Sequence, residues 1–157
     1  MILGITAFLP PGVVYNGGMN MNVHYSSKSN EWSTPQDTFD ELDKEFHFTL
    51  DPCATKENAK CGKFYTIEDD GLKQSWDNEV VFCNPPYGRE IKHWVKKASA
   101  AAGGTVVMLM PARTCTAYFH DYIYNKAEIR FIRGRLKFGG HTNSAPFPSM
   151  VVIFRTV

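Results

Sequence analysis

Short apolar runs recur along this chain, and their length and β-branched content predict the strands of one sheet. Residues 80–83 and 105–110 are continuous apolar runs that predict two buried strands. Four weaker runs predict the remaining strands, at residues 46–51, 63–66, 129–132 and 151–154.

Apolar residues three or four positions apart predict helices between these strands. Thr34 and Pro35 are typical of an N-cap and a first helical position, and Phe39, Leu42 and Phe46 follow at helical spacing. Two further helices are predicted from residues with the same spacing: Ile91, Trp94, Val95 and Ala98, then Phe119, Tyr122 and Ile123. Strands and helices that alternate in this way predict an α/β fold with a mostly parallel, doubly wound sheet.

Residues 1–30 differ from the rest of the chain because they are rich in glycine, asparagine and serine. This composition predicts a flexible N-terminal arm, in which Met19 or Met21 is an alternative start, and leaves residues 31–157 for a single domain. No apolar run reaches the length of a membrane span, and the apolar residues 1–9 lack the basic segment of a signal peptide. We therefore expect a cytoplasmic protein.

The net charge of +1 hides a separation of charge along the chain. Residues 1–80 contain 6 Lys and Arg against 13 Asp and Glu, whereas residues 81–157 contain 11 against 3. An acidic half suits a cationic ligand, and a basic half suits a polyanion such as DNA. Two oppositely charged solvated faces are the alternative interpretation of the same pattern.

The cysteines and histidines show no spacing typical of a metal site. The four cysteines are far apart and contain no Cys-x-x-Cys pair: Cys53, Cys61, Cys83 and Cys115. We expect them to be reduced thiols, and we expect no obligatory metal.

The motif Asn84-Pro85-Pro86-Tyr87 directly follows the predicted strand at residues 80–83. Because proline cannot continue a strand and restricts its predecessor, we expect Asn84 in an extended backbone at the strand end, where α/β sheets bind ligands. The Asn84 side-chain oxygen and the Pro85 carbonyl are two acceptors that can orient one planar amino group for attack. Tyr87 offers a ring on which a base can stack. A turn in which Asn84 is a cap and Tyr87 fills space is the structural alternative.

Asn-Pro-Pro-Tyr is the signature of methyltransferases that use S-adenosylmethionine and act on amino groups, and residues 32–155 resemble the phage-type DNA adenine methyltransferase (Dam-like) family. The resemblance rests on an ordered set of motifs: Trp32-Ser33-Thr34-Pro35, Asp51-Pro52-Cys53-Ala54, Asp70-Gly71-Leu72, Asn84-Pro85-Pro86-Tyr87, Gly134-Arg135-Leu136-Lys137-Phe138 and Ala145-Pro146-Phe147-Pro148-Ser149. It implies a compact Rossmann-like methyltransferase fold, S-adenosylmethionine as the cofactor and duplex DNA as the partner.

The resemblance also implies which residues bind the cofactor: Thr34, Pro35, Asp51, Pro52, Cys53, Ala54, Asp70 and Leu72. Asp51 would meet the ammonium group of the cofactor, Asp70 would accept from its adenine amino group, and Leu72 would pack on the adenine ring. Glu68 or Asp69 would bind the ribose. No Gly-x-Gly follows Asp51, and only 33 positions separate it from Asn84, so part of the usual cofactor half is trimmed.

A basic segment near the end of the chain is the predicted DNA contact. Arg133, Arg135 and Lys137 alternate with Leu136 and Phe138, a pattern that suits contact with phosphate and stacking on a base. The resemblance places Phe138 against an extruded base, opposite the Asn84 loop. An edge strand with a basic face and one buried Phe is the alternative.

The predicted function is transfer of a methyl group from S-adenosylmethionine to the exocyclic amine of adenine in a short duplex DNA sequence. Its catalytic residues are Asn84, Pro85, Pro86 and Tyr87. Methylation of RNA adenine or of a protein glutamine is an alternative, because the same loop suits any planar amine. A metal-dependent nuclease is another, since Asp70 and Glu90-Ile91-Lys92 resemble an acid followed by Glu-x-Lys. An inactive DNA-binding protein is the third, and the sequence leaves the DNA target and the oligomeric state open.

Overall fold

The computed structural model of the protein describes residues 32–156, so the arm predicted at residues 1–30 lies outside the described residues. Six strands follow one another along the chain: β1 (Leu50–Asp51), β2 (Lys63–Phe64), β3 (Val80–Cys83), β4 (Thr105–Pro111), β5 (Glu128–Phe131) and β6 (Ser149–Arg155). Helix α1 (Gln36–Phe46) precedes β1, helix α2 (Ile91–Ala100) connects β3 to β4, and a short π-helical turn (Phe119–Ile123) precedes β5. Within residues 32–156, no helix is long and apolar enough to cross a membrane.

The strands form one six-stranded sheet in the order β2-β1-β3-β4-β6-β5. Strands β1 to β4 are parallel, whereas β6 is antiparallel to both β4 and β5. The predicted α/β fold with a mostly parallel sheet is confirmed, and it is consistent with a Rossmann-like methyltransferase fold. One edge, called here the carboxyl end, therefore collects the last residues of β1 to β5 and the first residues of β6.

The first half of the sheet differs from the prediction of alternating strands and helices. The connections from β1 to β2 and from β2 to β3 are made of turns. Strands β1 and β2 have only two residues each. The strand predicted at residues 46–51 is also shorter, because α1 continues to Phe46 and His47 then adopts a left-handed φ of 56°. These turns account for the short distance in sequence between Asp51 and Asn84.

The central strands and one face of each α-helix form the core. Strands β3, β4 and β6 are almost wholly buried, and β4 pairs with β6 over seven residues. Phe39 of α1 packs edge-to-face on Phe82 of β3, with ring centroids 5.0 Å apart. Four residues of α2 are buried at helical spacing: Ile91, Trp94, Val95 and Ala98. Burial of each such side chain contributes about 1.5–3 kcal/mol to the free energy of unfolding. The packed helices therefore fix the segments that precede them, which are residues 32–35 before α1 and residues 84–90 before α2.

The opposite edge of the sheet, called here the amino end, is closed by ion pairs. Lys63 lies 2.5 Å from Glu79, and Arg130 lies 2.6 Å from both Glu45 and Glu128. Glu128 also pairs with Arg155. Lys63, Arg130 and Arg155 are therefore neutralised by neighbouring carboxylates.

Candidate active site

The Asn84 side chain is held in one orientation by a segment more than 50 positions earlier in the chain. Its Nδ2 group donates to the main-chain carbonyl of Trp32 and, over 2.9 Å, to the Thr34 hydroxyl. A rotated amide would turn its oxygen towards the Trp32 carbonyl, where two acceptors would repel each other. Nδ2 therefore faces residues 32–34, and Oδ1 faces the other way.

The Asn84 Oδ1 atom is buried and has no hydrogen-bond partner among the described residues. An unsatisfied buried acceptor costs about 1–3 kcal/mol, which a donor brought by a ligand would recover. Asn84 also lines a cavity of about 260 Å³ at the carboxyl end of the sheet. Asn84 is thus an oriented amide at the edge of a cavity.

The remaining residues of the motif occupy different environments. Pro86 lines the cavity, whereas Pro85 is buried. Tyr87 is only 7% exposed, and its hydroxyl donates to the Leu109 carbonyl over 3.4 Å. Burial raises the pKa of Tyr87, so the phenol stays protonated. This hydrogen bond and the burial of the ring fix the loop at residues 84–87 against β4.

Tyr87 and Phe138 meet in an aromatic cluster. The Tyr87 ring packs edge-to-face on Phe138 and on Phe147, with centroids 6.2 Å and 5.5 Å apart. Phe138 is 1% exposed, and the Gly139 amide beside it donates to the Ser33 carbonyl over 2.8 Å. This hydrogen bond holds the loop down, so neither ring offers a free face to a base in this structure. The predicted stacking roles of the two rings stay a prediction and require the loop to move.

Six of the eight residues predicted to bind the cofactor line the cavity: Thr34, Asp51, Pro52, Cys53, Ala54 and Asp70. Pro35 and Leu72 do not. Leu72 instead packs against the core, while Ile67, which is 90% exposed, reaches the cavity wall. Among the described residues, Ile67 is therefore better placed than Leu72 to pack on a planar ligand.

Asp51 is the most buried charged group of the cavity, with 4% of its surface exposed. Its carboxylate accepts the main-chain N–H groups of Lys60 at 3.1 Å and Cys53 at 3.3 Å. Burial raises its pKa, an effect that these hydrogen bonds partly oppose. It forms no ion pair with a side chain in residues 32–156. A cationic ligand group would compensate the desolvated charge.

The cysteines near Asp51 are poor nucleophiles. Burial raises the pKa of both Cys53 and Cys61 to about 12, and it raises the pKa of Cys83 as well. Since the thiolate is the reactive form of cysteine, these side chains remain protonated and inert near neutral pH. The cavity therefore favours chemistry in which a bound ligand, and not a cysteine, is the nucleophile.

Gly71 fixes the turn that carries Asp70. A Cβ atom at Gly71 would lie 2.0 Å from the Pro52 carbonyl oxygen, so only glycine allows the two turns to approach so closely. The Trp76 indole N–H also donates to the Gly71 carbonyl over 2.9 Å. Sequence analysis gave Gly71 no role, although its place between two predicted cofactor residues was a signal. This contact sets the position of Asp70 relative to Asp51.

The predicted DNA-contacting cations Arg133, Arg135 and Lys137 are exposed in the loop after β5. They form no ion pair within residues 32–156. Arg89 and Arg113, which sequence analysis did not select, are also exposed and follow β3 and β4. Strands β3, β4 and β5 all end at the carboxyl end, so these five cations surround the end of the sheet that carries Asn84.

The geometry does not support the nuclease alternative. Asp70 lines the cavity, whereas Glu90 is exposed at the start of α2 and does not line it. In residues 32–156, no group of three or more His, Cys, Asp or Glu side chains is arranged to hold a metal ion. The predicted pairing of Asp70 with Glu90 therefore has no structural counterpart.

Comparison with known proteins identifies the family of this chain. Residues 22–157 match the sequence model of a family described as DNA N-6-adenine-methyltransferase (Dam). A protein of Escherichia phage T1 named DNA N-6-adenine-methyltransferase is 38% identical over 109 residues, which cover 67% of this chain and 45% of the phage T1 protein. A protein of the same name from Haemophilus phage HP1 is 31% identical over 133 residues, covering 78% of this chain and 77% of that protein. The chain thus belongs to the DNA N-6-adenine-methyltransferase (Dam) family.

Proposed function

We propose that this protein transfers a methyl group from S-adenosylmethionine to the exocyclic amine of adenine in a short duplex DNA sequence. The observation that carries the proposal is the oriented, unpartnered Oδ1 atom of Asn84 beside the cavity. An aromatic amine is a weak nucleophile because its lone pair is delocalised into the ring. Acceptors at Asn84 Oδ1 and the Pro85 carbonyl would hold the amine hydrogens and favour the pyramidal nitrogen that attacks.

The chemistry of the cavity fits S-adenosylmethionine. This cofactor supplies an electrophilic methyl group on a sulfonium centre. The buried Asp51 carboxylate suits its ammonium group, and Asp70 suits the amino group of its adenine. The exposed Ile67 side chain at the cavity wall suits the face of the adenine ring. The charged residues of the wall are Asp51, Asp70 and Lys60, a net charge of −1 that complements a cationic ligand.

Thr34 links the cofactor cavity to the catalytic amide. It is 5% exposed, it lines the cavity, and its hydroxyl accepts from Asn84 Nδ2. Its neighbour Pro35 is the N-cap of α1 and makes no side-chain cap hydrogen bond, so a helix N-terminus, which suits an anionic group, begins directly after the cavity-lining residues 32–34. Thr34 therefore orients Asn84 whenever residues 32–35 are in place.

Duplex DNA would dock on the carboxyl end of the sheet. The exposed cations Arg89, Arg113, Arg133, Arg135 and Lys137 suit phosphate contacts there. The target adenine must leave the helix to reach Asn84, at a cost of a few kcal/mol. Tyr87 and Phe138 would contribute stacking after the loop at residues 133–148 moves. Gly134 and Gly140 have φ of 78° and 81° and open space around them, which suits such a movement.

The test is transfer of labelled methyl from S-adenosylmethionine to unmethylated duplex DNA, followed by digestion to nucleosides and chromatography. We expect the label in N6-methyladenine. Label in RNA adenine or in a protein glutamine would instead support the alternative amine substrates. Cofactor binding without label in any of these acceptors would favour the inactive DNA-binding protein.

A further inference from the structure

Lys60 is a charged residue of the cavity wall that has no role in the function proposed above. The charged residues that line the cavity are Asp51, Lys60 and Asp70, so Lys60 is the one cation in this lining set. Its ammonium group donates to the neutral Oε1 atom of Gln36 over 2.6 Å. It forms no ion pair within residues 32–156. Lys60 thus lines the cavity with no counter-ion from residues 32–156, and its ammonium group also lies 6.0 Å from the centroid of the Phe39 ring.

One short turn presents Lys60 together with Asp51. The main-chain N–H of Lys60 donates to Asp51 Oδ2 over 3.1 Å. The turn between them is stiffened by reciprocal hydrogen bonds, because the Thr55 amide donates to Asn58 Oδ1 at 2.7 Å and the Asn58 amide donates to Thr55 Oγ1 at 3.2 Å. One turn therefore contributes both the Asp51 carboxylate and the Lys60 side chain to the residues that line the cavity.

The position of Lys60 is not explained by the stability of helix α1. Gln36, its hydrogen-bond partner, is the first residue of α1. A cation near a helix N-terminus is unfavourable, because that end already carries a partial positive charge. An anion bound between Lys60 and this helix end would reverse the repulsion. Asp37 in the first turn of α1 and Asp40, which accepts from the Gln36 side chain over 2.7 Å, already lie at this helix end. A bound carboxylate would add a direct partner for the Lys60 ammonium group.

We propose that Lys60 binds the α-carboxylate of the cofactor, while Asp51 binds its α-ammonium group. The inference rests on the proposed function and names a further cofactor-binding residue in the same cavity. An amino-acid zwitterion carries its two opposite charges on one carbon, which matches a carboxylate and an ammonium group presented by one turn. Lys60 distinguishes a ligand with an intact amino-acid part from a bare nucleoside thioether.

The experiment measures binding by calorimetry and needs no catalysis. Lys60→Met removes the charge and keeps an apolar stem of similar length. The probes are S-adenosylhomocysteine, which contains the zwitterion, and 5′-methylthioadenosine, which lacks it. We expect Lys60→Met to weaken S-adenosylhomocysteine binding roughly 10- to 100-fold, the factor for loss of a hydrogen bond between charged partners. Binding of 5′-methylthioadenosine should change less than about twofold.

Two further variants control the result. Lys56→Met removes a charge from the same turn at an exposed position that does not line the cavity, and we expect it to bind both probes as the wild type does. Lys60→Arg keeps the charge and should retain most of the preference for S-adenosylhomocysteine. The thermal unfolding curve of each variant shows whether it is folded.

Any other result would contradict either the carboxylate-binding role of Lys60 or the proposed function. Equal weakening of both probes by Lys60→Met would mean that Lys60 shapes the cavity and does not bind the carboxylate. An unchanged affinity for S-adenosylhomocysteine would overturn the inference and leave the proposed function intact. A wild-type chain that binds neither probe would overturn the proposed function together with the inference.

Discussion

Arg130 and Arg155, at the amino end of the sheet, are paired with carboxylates, whereas the five exposed cations described around the carboxyl end form no ion pair within residues 32–156. Arg130 and Arg155 belong to the basic half of the sequence, yet Glu45 and Glu128 neutralise them. Arg133, only three positions beyond Arg130, has no such partner in residues 32–156. Charge counted along a sequence therefore does not locate a DNA-binding face, because pairing in the fold decides which cations remain available.

The two ends also differ in how they satisfy polar groups. At the amino end, Glu79 accepts from both Lys63 and the Thr49 hydroxyl. At the carboxyl end, Asn84 Oδ1 and Asp51 are both buried, and within residues 32–156 the first has no hydrogen-bond partner and the second forms no ion pair. An end with its polar groups paired stabilises the fold, and an end with unpaired groups is prepared for a ligand.

The largest effect should come from the carboxyl end, at Asn84. Asn84→Ala removes the oriented acceptor and should lower kcat by about 10²–10³-fold, as loss of one such polar group does in other active sites. The Kd for S-adenosylhomocysteine should stay close to the wild-type value, because the cavity wall is otherwise kept. Methyl transfer and calorimetry measure the two quantities. An equal loss of both would contradict the role given to this side chain.

Gly71→Ala should destabilise the same end through its backbone. The added Cβ meets the Pro52 carbonyl oxygen, so the turns must separate. We expect the free energy of unfolding to fall by about 1–3 kcal/mol, the usual cost of overpacking. Urea denaturation measures it. Gly62→Ala is the matched control, since a Cβ there meets nothing within 4 Å; similar stability of the two variants would show that the Gly71 contact is not required.

Removing unpaired cations should change DNA binding, whereas removing paired cations should not. Replacement of Arg133, Arg135 and Lys137 by Gln should reduce the slope of log Kd against log salt by about 2–3, near 0.9 for each lost phosphate contact. The double variant Arg130→Gln with Arg155→Gln is the control from the amino end. Fluorescence anisotropy with duplex DNA at several salt concentrations gives the slopes. Equal slopes for both variants would remove the distinction between the two ends.

The smallest effect should be the response of the amino end to acid. Hydrogen bonds from Arg130, Lys63 and Arg155 lower the pKa values of Glu45, Glu79 and Glu128, respectively, below the ordinary value of 4.5. Because the folded pKa values are the lower ones, this stabilisation is present above the unfolded pKa and is lost as pH falls through the folded values. We expect Tm to fall between about pH 5 and pH 3 and Glu79→Gln to make the fall shallower. An identical pH profile for the variant would exclude Glu79 as a contributor.

Sequence patterns identified the elements of the second half of the sheet well and those of the first half less well. The apolar run at residues 80–83 coincides with β3, and the run at 105–110 lies within β4. The strand at residues 46–51 was wrong in its start, because the pattern does not reveal that His47 adopts a left-handed conformation and ends α1 at Phe46. Very short strands such as β1 and β2 carry too few residues to set a period.

The loop at residues 84–87 could be selected from the sequence because its residues are adjacent, whereas the cavity is assembled from separate turns. Leu72 and Ile67 are both apolar and five positions apart, and only tertiary packing decides that Ile67 reaches the cavity wall. The burial of Phe138 likewise depends on the main-chain contact between Gly139 and Ser33, more than 100 positions away. Such contacts leave no local signal in the sequence.

Because Asn84 donates to Trp32 and Thr34, the orientation of the proposed catalytic amide depends on the segment before α1. Without that segment the amide is free to rotate, although the strands that carry the core are all downstream of it. A protein engineer therefore has a defined place to divide the enzyme, between α1 and β1. Supplying the first piece separately, or tethering it to a light-sensitive or drug-dependent partner, would make methylation conditional while most of the scaffold stays whole.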